Sequence, residues 1–162
     1  MTSSSGKATV TLPGDAQILI EREFDAPAAL VWRALTEPEL VQRWWGGKRG
    51  EVTSAEIDLR VGGTWRYTMS APGFDGELGW HGEYREIVEG ERIVSTEVFE
   101  GFPDAESVNT MTLIDAGGGR TLLRTLVQHL TQENRDGHVD SGMEDGMQEA
   151  FDALEAVAQS LA

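Results

Sequence analysis

The closing segment SGMEDGMQEAFDALEAVAQSLA constrains the fold most. Met143, Met147, Phe151, Leu154, Val157 or Ala158, and Leu161 recur every three or four residues. Glu144, Asp145, Glu149, Asp152 and Glu155 lie mostly off that stripe. The spacing predicts a long amphipathic helix with one face that must be buried. Before it come six segments of period two: EVTSAEIDLR, GTWRYTMSA, LGWHGEYREIV, ERIVSTEVFE, SVNTMTLID and RTLLRTLVQHL. Gly62-Gly63, Glu89-Gly90 and Gly117-Gly118-Gly119 separate some of them as turn material. Connections this short imply an antiparallel meander, because parallel neighbours need long crossovers. A helix with one apolar stripe and a meander with one apolar face have to cover each other.

The opening half supplies one strand and two helices. In QILIEREFDAP, Ile18, Ile20 and Phe24 share one parity and Glu21 and Glu23 the other. Asp25 reads as a cap and Pro27 as a first-turn residue for a helix with Leu30, Val31, Ala34 and Leu35 on its apolar stripe and Trp32 on its flank. Thr36 precedes a second, short helix, EPELVQRWW, which Gly46-Gly47 ends. The expected order is β-α-α-β6-α, an α+β domain in which a curved sheet wraps the last helix. Residues 1–15 read as a flexible polar tail and 16–162 as one domain, with ATVTL able to pair loosely as an edge strand.

Composition narrows the chemistry. The 162 residues carry a net charge of −15, which weighs against nucleic acid and anionic lipid as partners. No cysteine is present, so disulfides, thiolate metal sites and cysteine nucleophiles are excluded. No apolar run suits a signal peptide or a membrane span, and the expected location is the cytoplasm. There is no Gly-x-Ser-x-Gly motif, GGKRG lacks the order of a phosphate loop, and DAGGGR joins two strands as a hairpin turn. His129 and His138 have no metal-ligand spacing, and His138 falls in a polar stretch read as loop. Neither a metal nor a cofactor is expected.

Taken together, REFDAP, VWRALTEPELVQRWWGG, DLRVGGTWRYTM, HGEYREIVEGERIV and SGMEDGMQEAFDALEAV resemble the heat-shock-protein-90 ATPase activator homologue-like group of the SRPBCC (START-like) superfamily. The resemblance runs from about Ile18 to the C-terminus. It implies the helix-grip fold, with an internal cavity between the sheet and the C-terminal helix. Members of the superfamily include lipid carriers, cyclases, receptors and co-chaperone domains, so fold alone does not choose an activity.

Candidate ligand-binding residues are therefore Trp32, Trp45, Trp65, Tyr67, Met69, His81, Glu83, Met143, Met147 and Phe151. Large rings with one polar atom, and adaptable methionines, suit an apolar or amphipathic small molecule. Trp80 and Tyr84 extend the aromatic set. Trp44 fits the packed stripe of its short helix, which places Trp45 about 100° round and at the expected cavity rim. His81 and Glu83 share a parity; facing inward they would support acid–base chemistry of the cyclase or hydratase kind. A third reading is a co-chaperone-like interaction module, which requires an exposed apolar patch.

Overall fold

A computed structural model describes residues 7–73 and 75–162. Its elements are β1 (Thr9–Thr11), β2 (Gln17–Phe24), α1 (Ala28–Thr36), α2 (Pro38–Trp44), β3 (Glu51–Ile57), β4 (Thr64–Ser70), β5 (Leu78–Val88), β6 (Arg92–Phe99), β7 (Ser107–Gly117), β8 (Arg120–His129), α3 (Gln132–Asp140) and α4 (Met143–Ser160). The strands form one antiparallel sheet in the order β1-β2-β8-β7-β6-β5-β4-β3. Strands β3 to β8 are the meander, and β2 closes onto β8 with Ile18 opposite Val127 and Phe24 opposite Thr121. Bulges at Val52/Ser54, Tyr84/Glu86 and Asp115/Gly117 bend the strands. The α+β helix-grip arrangement is the one observed, with α4 seated on the concave face.

Two elements extend the expected order. Within the segment read as a tail, Thr9–Thr11 pairs with Leu19–Glu21 of β2, and Ala8 is buried. The polar stretch read as a loop is helix α3. Thr131 caps it by accepting a hydrogen bond from the Asn134 N–H at 3.0 Å.

The helix caps differ from expectation. Pro27 occupies the α1 N-cap position. Asp25 lies too far upstream to reach the first free N–H groups of the helix, and its own N–H donates to Glu155 on α4 at 2.8 Å. Thr36 ends α1 and donates its hydroxyl to the Trp32 carbonyl at 2.7 Å.

Alternation in β2 is complete: Ile18, Ile20, Arg22 and Phe24 are buried. Arg22 is 1% exposed. Its guanidinium reaches Asp152 at 2.8 Å and Glu155 at 3.3 Å on α4 and lies 4.8 Å from the Phe24 ring centre. A charge held this deep is tolerated because both acceptors come from the helix that covers it. Phe24, Val31, Leu35, Leu123, Leu154 and Val157 knit α1, α4 and the sheet into the main core. Trp44 joins it and donates its indole N–H to the Ala34 carbonyl at 2.7 Å. Gly47, at φ +57°, follows where α2 ends. A Cβ there would meet the Ala150 nitrogen and Glu149 Cβ of α4 at 3.1 Å, so glycine permits both the turn and the close helix approach.

Candidate functional site

The inward side chains of β4 meet the two helices of the opening half. Trp65, Tyr67 and Met69 are all buried. Trp65 lies across the sheet from Gly82. A Cβ on Gly82 would sit 2.5 Å from the indole nitrogen, so glycine leaves room for the ring, which donates to the Thr96 carbonyl at 3.2 Å. Trp32, Val41, Trp65, Tyr67, Tyr84 and Ile93 form one aromatic-rich cluster. Burial pushes the Tyr67 and Tyr84 phenols well above their ordinary pKa. These rings fill the middle of the grip as core.

Trp45 does not line the cavity against α3. Its backbone stays helical at φ −62°, ψ −35°, and the helix carries its ring onto the sheet. There it packs edge-to-face on Tyr67 at 5.3 Å and on Trp80 at 4.5 Å. It backs a wall residue without lining the space. Phe151 packs edge-to-face on Phe24 at 5.6 Å, and Met147 packs against the cluster of Ala8, Ile18, Ile20 and Val127.

His81 and Glu83, candidate ligand-binding residues, point to the outer face and are exposed. Alternation around them fits this, with Gly82 and Tyr84 buried between exposed His81, Glu83 and Arg85. His81 pairs with Glu100, not Glu83, through Nδ1 at 2.8 Å. Arg66 donates twice to the same carboxylate, at 2.9 and 2.8 Å. The Arg66 and His81 bonds hold the Glu100 pKa down to about 2. This cluster ties β4 and β5 to the end of β6 on the solvent side, so the inward orientation that acid–base chemistry through His81 and Glu83 would require is not the one observed.

Space for a ligand lies at the other end, against α3. A cavity of about 640 Å³ is walled by Trp80, Glu97, Phe99, Ser107 and His129 from the sheet. Register explains the grouping. Glu97 faces Ser107, Ser107 faces His129, and Trp80 faces Phe99, so these side chains share the concave face on four adjacent strands. The β6–β7 connection contributes Phe102 and Ala105, α3 contributes Glu133, Asn134, Gly137 and His138, and Met143 opens α4. Phe102 is 71% exposed, which places it at the mouth. Of the ten candidate ligand-binding residues Met143 lines this cavity, and so does Trp80 from the extended aromatic set.

Its polar groups are held away from charge. Burial pushes the Glu97 carboxyl above its usual range, opposed by a hydrogen bond from Asn109 at 2.9 Å. His129 Nε2 lies 3.0 Å from His138 Nδ1, so one ring donates and the other accepts. Burial lowers both imidazoles, with Arg135 adding to the effect at His129 and His129 adding to it at His138, which falls to about 4. His129 Nδ1 is buried without a partner. The cavity therefore offers neutral imidazoles, one partly buried carboxyl and an aromatic wall. Such a site holds an apolar body and orients it through a few polar contacts.

Glu97 was detectable in sequence. It occupies the same parity as Ile93 and Phe99 in ERIVSTEVFE, where a charged residue breaks an apolar face. The histidine pair was not, because nine positions separate the rings and α3 has no apolar stripe to announce a helix. Among the described residues, no group of three or more His, Asp or Glu side chains could hold a metal ion, and no helix is long and apolar enough to cross a membrane.

Solved structures share this architecture. A protein from Rhodobacter sphaeroides superposes with TM-score 0.87 at 24% identity, over 95% of this chain and 99% of that one. One from Nitrosomonas europaea gives 0.82 at 25% identity, over 93% and 98%. An AHSA1-like protein from Aeromonas hydrophila gives 0.69 at 18% identity, over 90% and 93%. No curated protein matches the chain. The model of the family described as Activator of Hsp90 ATPase homolog 1-like protein matches residues 25–159, from the turn after β2 almost to the end of α4, and the chain belongs to that family.

Proposed function

We propose that the protein binds a small apolar or amphipathic molecule in the cavity between the concave face of β5–β8, helix α3 and the start of α4. One observation carries this reading: about 640 Å³ of space lined by aromatic rings with a few convergent polar groups, within the size range of small-molecule sites. Residues 16–162 form the binding unit, with β1 as an added edge strand. His81 and Glu83 face solvent and take no part in this cavity.

Native mass spectrometry of the purified protein tests the proposal, together with thermal shift across a panel of lipids and aromatic metabolites. A ligand at a hundred times its dissociation constant adds roughly 2.7 kcal/mol of stability. Ala105→Trp, which places a bulky ring at the cavity wall, should abolish the shift while the variant still melts cooperatively. No co-purified molecule and no shift anywhere in the panel would overturn the reading.

A further inference from the structure

The walls of the cavity also bear on the charge of what enters it. Two carboxyl side chains line it, Glu97 and Glu133, and no lysine or arginine does. The two histidines that could have supplied positive charge are paired with each other. Glu97 stands two residues before Phe99 on the same face of β6, so their Cβ atoms lie roughly 7 Å apart. Phe99 is paired across the sheet with Trp80 at 5.2 Å between ring centres, and Phe102 continues the row at 6.4 Å from Phe99. A carboxylate beside a row of aromatic faces suits an organic cation: the carboxylate provides the counter-charge and the rings attract the cation electrostatically. An anionic amphiphile meets two acidic side chains there and a chain of net charge −15 outside.

We propose that the cavity selects amphiphilic organic cations, an ammonium head with an apolar tail, over anions and neutral molecules of the same shape. The head sits between Glu97 and the Trp80–Phe99 pair, and the tail extends towards Met143. This rests on the cavity-binding reading and specifies its ligand class. Burial makes Glu97 reluctant to ionise, and a bound cation removes that penalty. Binding of a permanent cation therefore releases a proton from whatever fraction of Glu97 is protonated, and tightens as pH rises through the Glu97 pKa.

The test is calorimetric titration of the full chain at 0.15 M salt with octyltrimethylammonium, 1-octanol and octanoate below their aggregation limits. The expected result is one-to-one binding of the cation, at least tenfold tighter than octanol, with octanoate weakest. Glu97→Gln keeps the shape and can still accept from Asn109. It should remove the preference of the cation over octanol. Octanoate binding as tightly as the cation overturns the inference and leaves cavity binding standing. So does cation binding at many sites that salt abolishes, which is the signature of the acidic surface. No binding by any of the three probes overturns the inference, and the cavity-binding reading falls with it only if the ligand panel also gives no shift. The three-probe comparison on the unmodified chain stands even if Glu97→Gln fails to fold.

Discussion

The two ends of the grip are built from different materials. Where α1 and α2 cover the sheet, the final helix presents Ala150, Leu154, Val157 and Ala158, all buried, to Phe24, Val31, Leu35 and Leu123. Where α3 covers it, the same helix presents Met143 and Met147, both partly exposed, and α3 itself buries only Arg135. That arginine spends its contacts on the Gly14 and Gln17 carbonyls at 2.9 and 3.1 Å and on Asp136. One end is filled by branched and aromatic side chains; the other is spanned by a largely polar helix whose one apolar side chain, Val139, packs against the Ala8, Ile18, Ile20 and Val127 cluster. A single 18-residue helix thus serves as core along its second half and as the edge of a cavity at its start.

The largest expected effect contrasts these two halves. Leu154 is fully buried, and Leu154→Ala should lower stability in urea by about 3 kcal/mol, from lost transfer free energy and an unfilled hole. Met143→Ala, beside space that already exists, should lower it by less than about 1 kcal/mol while weakening ligand binding. Equal losses at the two positions would mean that the ends are packed alike, and the distinction drawn here would fail.

A second contrast concerns buried charge at the packed end. The Arg22 side chain is fully buried, while Glu155 is 20% exposed and Asp152 63%. Glu155→Ala leaves the guanidinium buried with only its more exposed partner and strips the acceptor from the Asp25 N–H; it should lower stability by about 2 kcal/mol. Arg22→Met keeps much of the volume and removes the charge, so its cost should be smaller, about 1 kcal/mol or less. Chemical denaturation of both variants checks the order. If Arg22→Met is the more damaging, the ion pair contributes net stability and the desolvation argument is wrong.

The same contrast explains what was legible in sequence. Helix α4, the two opening helices and the period-two strands all announce themselves through apolar periodicity, and periodicity is a signal of packing. Leu30, Leu35 and Trp44 follow from it and lie in the packed region, where Trp65 and Tyr67, expected to line a cavity, also lie. A cavity, by contrast, is lined by residues that interrupt the pattern. Glu97 breaks a strand face, and α3 shows only its Thr131 cap and polar residues. The exposure of His81 follows from the parity of β5, but which face was inward depended on Trp80 and Tyr84, and its partner Glu100 lies 19 residues away. Arg22 sits at an inward position in β2; the acids that make this possible are 130 and 133 residues further on.

The smallest expected effect is a pH dependence confined to the cavity end. His138 titrates near 6.5 when unfolded and at about 4 in the folded chain. Between those values the unfolded chain takes up a proton that the folded chain refuses, so stability falls as pH drops from 6.5 towards 4. Glu97 acts in the opposite sense. Its pKa is raised on folding, so its contribution improves as pH falls towards 4.5. Glu100 on the outer face loses its contribution only between about 4.5 and about 2, below the histidine window. His138→Gln removes the first effect and retains the others. The stability difference between the unmodified chain and this variant should therefore shrink by about 1 kcal/mol from pH 7 to pH 4, a figure kept small because the ring is only partly buried. A difference that stays constant across that range would mean that His138 titrates normally in the fold, and that the cavity end is wetter than its half-buried walls suggest.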